Sequence, residues 1–492
     1  MSLSQPNVVY ILADDMGYGD VSCLNEKSKI ATPNLDRLAA GGMAFRDAHS
    51  SSAVCTPSRY SVVTGRYNWR SAMKQSVLNG YDGPLIEEDR VTVASYLRSR
   101  GYHTACIGKW HLGWNWGRQD DGETLDFSKP VTGGPFDHGF DHFYGIIASL
   151  DFPPYVYVEN DRPTTAQFRW LDNEKEGYTG KRFMRSGEIA EDLVPEDVLP
   201  NITRRACSYI ADQSAGEKPF FLYFPLPAPH TPILPEQFLG KSGTNEYGDF
   251  CLMVDWCVGE VMKAVEAAGQ TDNTIIVFTA DNGCSPMADF AELAEVGHEP
   301  SYVFRGHKAD IYEGGHRIPF IARWPETIPA GTTCDDVVCL CDLFATMADI
   351  HGDVLPDHAG EDSVSNLPLW QGREAEAAPV REATVHHSIN GSFSIRQGRW
   401  KLEFCPGSGG WSYPRPGKDE VAGLPPIQLY DLNADIREKE NLQAENAKVI
   451  EELTALMTRY VREGRSTLGA RQPNTGPAYW PQLNWMLESD LE

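Results

Sequence analysis

The sequence predicts an α/β fold: a large, mostly parallel or mixed sheet sandwiched by helices, with a smaller C-terminal α+β subdomain carrying an antiparallel sheet. Three observations carry this. Four apolar runs, at 7–12, 220–224, 274–279 and 319–324, end abruptly in polar or turn-forming residues, as buried parallel strands do. Helical patterns at 34–40, 92–99, 202–213 and 249–268 fall between them, so strand and helix alternate. After about residue 375 the texture changes to a hairpin-like alternation around Gly398 and one long helical pattern.

Taken in order, the first strand runs into Ala13-Asp14-Asp15, and the run 274–279 leads into Ala280-Asp281-Asn282-Gly283. Ligands of open α/β sheets bind beyond the carboxyl ends of the strands. Two distant strands that deliver acidic groups to one edge would make an all-oxygen site for a hard cation rather than for zinc. Each dipeptide alone is also an ordinary polar strand exit. The run 220–224 leads into a proline-rich stretch at 225–235, and 319–324 is read as a fourth parallel strand. Residues 371–379 look like a linker, which divides a catalytic unit, 1–375, from a C-terminal subdomain with its tail, 376–492. In the latter, 393–404 reads as a hairpin, 429–432 as a strand and 444–462 as a helix; the tail from Ser466 has little pattern and is expected to wrap the surface.

Composition narrows the function. A chain of 492 residues can bury a large core, and 41% hydrophobic with 23% charged residues describes an ordinary globular protein. The formal charge of −26 argues against nucleic acid or anionic membranes as partners, because those are bound through basic residues. No apolar run of 18 residues occurs, so no membrane span is expected. The N-terminus lacks a charged segment followed by an apolar one. The expectation is a cytoplasmic protein, or a periplasmic or secreted one whose leader has been removed. Eleven cysteines include no C-x-x-C pair, and all but Cys55 are read as reduced core thiols.

The most informative stretch is Cys55-Thr56-Pro57-Ser58-Arg59, followed by Thr64-Gly65-Arg66. Alone it could be a buried thiol ahead of a proline-initiated helix. It is accompanied by Gly17-Tyr18-Gly19-Asp20, Gly108-Lys109-Trp110-His111-Leu112-Gly113, Pro229-His230-Thr231-Pro232, Thr279 to Gly283, and Lys308 ahead of Tyr312-Glu313-Gly314-Gly315-His316-Arg317. Leu429-Tyr430-Asp431-Leu432 to Glu440-Asn441-Leu442 completes the set. In this order the motifs resemble those of the type I, formylglycine-dependent sulfatases of the alkaline phosphatase superfamily, over most of the chain.

That resemblance implies hydrolysis of a sulfate monoester, on a sulfated carbohydrate or an aryl sulfate, to an alcohol and inorganic sulfate. It implies that a maturase oxidises Cys55 to formylglycine, whose hydrated aldehyde supplies the attacking oxygen. Asp14, Asp15, Asp281, Asn282 and position 55 would hold one divalent cation, calcium in most of the family and magnesium as the alternative. Arg59 would steady the hydrate, and Lys109 and Lys308 would contact sulfate oxygens. His111 would take a proton from the hydrate to release sulfate, and His230, with Lys308, would protonate the leaving alcohol. Ser149 aligns with a sulfate-contacting serine of the family; Asp151, Asp310 and His316, with His307, are candidates for recognising the rest of the substrate. Lys109 and His111, two apart, would point to the same side of an extended strand. Aromatic residues Phe152, Tyr155, Tyr157, Trp170, Trp411, Tyr479, Trp480 and Trp485 would suit stacking on sugar rings. The rival readings are a phosphonate or phosphate ester hydrolase on the same scaffold, and a sulfated-glycan-binding pseudoenzyme whose Cys55 is never converted.

Overall fold

The computed structural model describes residues 5–372 and 379–487. Strands Thr274–Ala280, Asn7–Asp14, Phe220–Pro229, His103–Lys109 and His142–Ile146 lie side by side in that order, all parallel, at the centre of a ten-stranded sheet. Every residue of the first three is buried. That is why their sequences read as unbroken apolar runs rather than as alternations.

The expected fourth parallel strand is different. Phe320–Arg323 runs antiparallel between Thr274–Ala280 and Met43–Phe45. A parallel return needs a crossover long enough to carry the chain back along the sheet. The segment leading to Phe320 has only the short helices Phe290–Glu295 and Glu313–His316 and the 3₁₀ turn Pro286–Ala288. The sheet is therefore mixed at its margins and parallel where the site lies.

Helices flank the sheet in two groups. Pro33–Ala40, Val198–Ser214 and Glu246–Ala267 pack on one another, and Cys55–Thr64, Val93–Ser99 and Leu343–Ile350 form the other group. The expected helices are all present with shifted ends. A second, four-stranded antiparallel sheet joins Thr384–His387, Phe393–Gln397, Trp400–Glu403 and Gln428–Asp431. Helix Ala447–Glu463 covers it, burying Leu453, Leu456, Met457, Tyr460 and Val461 at helical spacing.

Most of the expected linker, 373–378, lies outside the described residues. The tail does more than wrap the surface: Trp480, Leu483 and Met486 are buried in the same core as Tyr67, Trp69 and the second sheet. Its apolar residues follow no period, so pattern could not place them. All eleven cysteines are free, but Cys23 is exposed and Cys207 half-buried, so these two are not core thiols. Among the described residues no helix is long and apolar enough to cross a membrane.

Candidate active site

The carboxyl ends of the two central strands deliver the acidic residues to one point. Asp14 ends its strand, Asp15 turns out of it in the left-handed region at φ 67°, and the amide of Asp281 donates to the carbonyl of Ala13. Close backbone approach shapes this corner. A Cβ on Gly19 would sit 2.0 Å from the carbonyl oxygen of Glu299, which only glycine avoids. Asp20 accepts from the Tyr247 hydroxyl at 2.5 Å and from the Gly17 amide at 2.7 Å, while its other oxygen lies 2.8 Å from His298 Nε2. The Tyr247 hydroxyl also lies 3.3 Å from the Asp15 carbonyl oxygen, so this buried trio braces the turn that aims Asp15.

Cys55 is the first residue of a helix buried along its whole length. Its sulfur lies 3.4 Å from Asp14 Oδ1 and 3.9 Å from Asp15 Oδ1. Ligand atoms from Asp14, Asp15, Cys55 and Asp281 all fall within 4.8 Å of one another. Four residues along the helix, Arg59 donates to Asp281 Oδ2 from Nε and Nη2 at 3.0 and 2.6 Å. Lys109 donates to Asp14 Oδ2 and Lys308 to Asp15 Oδ2, both at 2.6 Å. Three buried carboxylates thus face three buried cations.

The electrostatics follow from that pairing. Burial opposes ionisation of Asp14, yet Lys109, His230, Arg59 and Lys308 outweigh it and hold its carboxyl well below the usual range. Burial lifts Asp281 to about 6 against the pull of Arg59. Burial likewise pushes the Cys55 thiol far above its ordinary value despite Lys109 and Lys308. Unmodified, Cys55 is a neutral thiol, and it is the thiolate that attacks.

The two histidines arrive by different routes. Lys109 closes its strand, but His111 lies beyond it in the left-handed region at φ 57°, so the two do not share one face of an extended strand. His111 Nε2 donates to the Leu78 carbonyl at 2.8 Å, and its Nδ1 is buried without a partner. Burial, then Lys109 and Arg59, keep this ring neutral. His230 Nδ1 lies 2.9 Å from Thr231 Oγ1 and 3.7 Å from Asp151 Oδ1, while Nε2 is 3.5 Å from Asp15 Oδ2. Burial, reinforced by Lys308, lowers its pKa against the nearby carboxylates.

Above this floor opens a cavity of about 710 Å³, lined by Cys55, His111, Ser149, Asp151, His230, His307 and Lys308 among others. That volume suits a small-molecule site. Buried polar groups normally find partners, so those that do not mark a place for something else. Here His111 Nδ1, Ser149 Oγ and Asp151 Oδ1 are buried at the cavity without a hydrogen bond. Asn282 Oδ1 is orphaned too, although its Nδ2 donates to Asp15 Oδ1 at 2.7 Å. A side-chain amide that reaches Asp15 and keeps an oxygen without a hydrogen bond fits a hard cation.

Two expected substrate contacts are elsewhere. Asp310 is fully buried: Oδ2 accepts from the His307 amide, and Oδ1 from the amides of Trp411 and Ser412. His316 ends the short helix Glu313–His316 and is buried beside the second sheet, its Nδ1 3.0 Å from His49 Nδ1 and its ring stacked on His386 at 3.8 Å. Glu313 and Lys401 hold that turn between the sheets, away from the cavity. Sequence reasoning assigned no role to Asp20, Tyr247, His298, Leu78 or Arg185. Only Asp20 stood in a motif. Arg185 pairs with Asp151 and lies 4.0 Å over the Phe152 ring, forming part of the cavity wall.

A model of the Sulfatase family matches residues 6–352. An N-acetylgalactosamine-6-O-sulfatase of Bacteroides thetaiotaomicron is 34% identical over 493 residues, covering 92% of each chain. Human Arylsulfatase A is 32% identical over 461 residues, covering 89% of this chain and 83% of its own. A solved structure from Bacteroides thetaiotaomicron, described under the metabolism of multiple glycosaminoglycans, superposes with a TM-score of 0.80 at 32% identity, covering 93% of this chain and 99% of that one.

Proposed function

The chain belongs to the sulfatase family and is a sulfuric ester hydrolase, and we propose that it removes a 6-O-sulfate from an N-acetylated amino sugar through a formylglycine formed at position 55. One observation carries the assignment of the site. The Cys55 sulfur sits on a floor of three carboxylates matched by three cations, beneath a cavity where buried atoms of Ser149, Asp151 and His111 make no hydrogen bond.

Asp14, Asp15, Asp281 and Asn282 would hold the divalent cation, a hard ion such as calcium or magnesium rather than zinc, because every one of these donors is an oxygen. When bound, the cation would supply Lewis-acid stabilisation of the sulfate oxygens and the positive charge that the balanced floor lacks. Conversion of Cys55 by a maturase would supply a hydrated aldehyde oxygen in place of a thiol that burial keeps neutral. The other roles belong to the chain's own side chains. Arg59, fixed by Asp281, orients position 55. Lys109 and Lys308 present ammonium protons where sulfate charge shifts, and the Ser149 hydroxyl donates to a sulfate oxygen. His111, with Nε2 committed to Leu78, offers Nδ1 as a proton acceptor. His230 stands between Asp15 and Asp151 as the group that gives a proton to the departing alcohol oxygen.

The sugar is supported by the relatives: the bacterial one above and a canine one, 29% identical over 501 residues, are both named as sulfatases of N-acetylgalactosamine at position 6. The catalytic unit, 1–375, supplies the chemistry, and the unit 376–492 supplies part of the cavity wall through Ile389 and Trp411. The test is sulfate release from N-acetylgalactosamine 6-sulfate together with mass spectrometry of the peptide bearing position 55. The aldehyde in active protein, and no turnover by Cys55→Ala, are expected. Full activity with an unmodified thiol would overturn the reading.

A further inference from the structure

The cavity is closed on one side by the C-terminal subdomain, and that wall has an unusual anchor. Asp310, two residues beyond Lys308, is fully buried, and its Oδ1 accepts the backbone amides of Trp411 at 2.8 Å and Ser412 at 3.0 Å. Oδ2 accepts the amide of His307 at 3.0 Å. The Ile311 amide donates to the Ser408 carbonyl at 2.7 Å, and the Ile389 amide to the Ala309 carbonyl at 3.0 Å. The two loops of the second sheet that reach the site are therefore registered directly against the segment that carries Lys308.

Trp411 is the part of this wall that faces a ligand. It lines the cavity together with Cys55, His230 and Lys308, yet remains 45% exposed. Among the aromatic residues that sequence suggested for stacking, Tyr155, Tyr157 and Trp480 are buried in the protein, Trp485 packs on Phe393 and Phe404, and Trp170 and Tyr479 do not line the cavity. Phe152 lines the cavity too, but Arg185 covers its ring at 4.0 Å. Among the described residues no ring or guanidinium stacks on Trp411. Its ring is therefore available to a ligand that enters the cavity.

We propose that Trp411 is a specificity-determining residue that stacks on the apolar face of the substrate's pyranose ring, and that Asp310 is a positioning residue fixing that platform relative to Lys308. The inference rests on the carbohydrate reading above. It adds that the C-terminal subdomain supplies a recognition surface for the alcohol part of the substrate. A pyranose presents a flat patch of C–H groups that an indole face covers well, whereas the sulfate and the bond that breaks lie deeper, on the Cys55 floor.

The experiment compares wild type, Trp411→Ala, Trp411→Phe and Asp310→Ala, each with conversion at position 55 measured and metal supplied. The substrates are N-acetylgalactosamine 6-sulfate and 4-nitrophenyl sulfate. Trp411→Ala is expected to raise KM for the sugar ester about tenfold with kcat within about threefold. Trp411→Phe should restore most of the KM, because it keeps a flat face. Asp310→Ala should shift KM in the same direction without loss of bound metal. Wild-type turnover of the sugar ester is read first. Its absence, with the aryl ester still cleaved, overturns the carbohydrate reading and the stacking proposal with it. Turnover with a KM that Trp411→Ala leaves unmoved overturns the stacking proposal alone.

Discussion

Nε2 of His111 donates to the carbonyl oxygen of Leu78, and this single bond settles which nitrogen of the ring is left to work. A carbonyl can only accept, so Nε2 carries the proton and the buried Nδ1 keeps its lone pair. Leu78 stands in a loop that no motif marks, yet it fixes the tautomer.

If Nδ1 of His111 accepts a proton during sulfate release, His111→Ala should lower kcat by about 100-fold or more. Alcohol should then be released faster than sulfate in the first turnover. Stopped-flow detection of nitrophenol against sulfate release checks it, and equal rates of the two would contradict the role.

His230→Ala should behave differently. A proton donor to the leaving oxygen matters most for a poor leaving group, so the loss should be about 100-fold or more on a sugar ester and far smaller on 4-nitrophenyl sulfate. Equal losses on both esters would remove His230 from that role.

Asn282→Ala deletes the orphaned amide oxygen of the side chain that reaches Asp15. Activity should fall by about 100-fold or more, with metal content reduced and recovery at high calcium. Elemental analysis and calcium titration measure this. Two stoichiometric zincs with no calcium or magnesium would overturn the oxygen-ligand site.

Arg70 and Asp362 are both fully buried and joined by paired 2.8 Å bonds, while Arg70 also donates to the Tyr460 carbonyl. This fork ties the segment after the Cys55 helix to the C-terminal helix. Removing one partner strands a buried charge, so Asp362→Ala should cost about 3–5 kcal/mol in chemical denaturation.

Acid should destabilise the fold through its neutral histidines. Burial lowers His387 to about 3, its Nδ1 accepting from the Asn68 amide, and burial lowers His49, His316 and His386 as well. Between about 6.5 and 3 the unfolded chain binds a proton at His387 that the folded chain refuses. Stability attributable to this residue is thus complete above pH 6.5 and lost progressively as pH falls toward 3. His387→Phe should flatten the slope of stability against pH in that window by up to about 1.4 kcal/mol per pH unit.

Sequence alone was enough for the parallel heart of the sheet, because strands buried on both faces must be apolar throughout, and for the acidic cluster at its edge, because Asp14, Asp15 and Asp281 stand at the ends of those strands. It also named Cys55, Arg59, Lys109, His111, His230 and Lys308, whose motifs are local in the chain. Tertiary structure decided the rest. Lys308 bonds Asp15 across 293 positions, Tyr247 braces Asp20 across 227, and Asp310 holds Trp411 across 101. Asp310 and His316 were candidates for recognising the rest of the substrate; packing made one an anchor for the Trp411 amide and closed the other between two sheets. Which polar atom is left without a partner is a property of every neighbour in space. Only the folded chain brings those neighbours together.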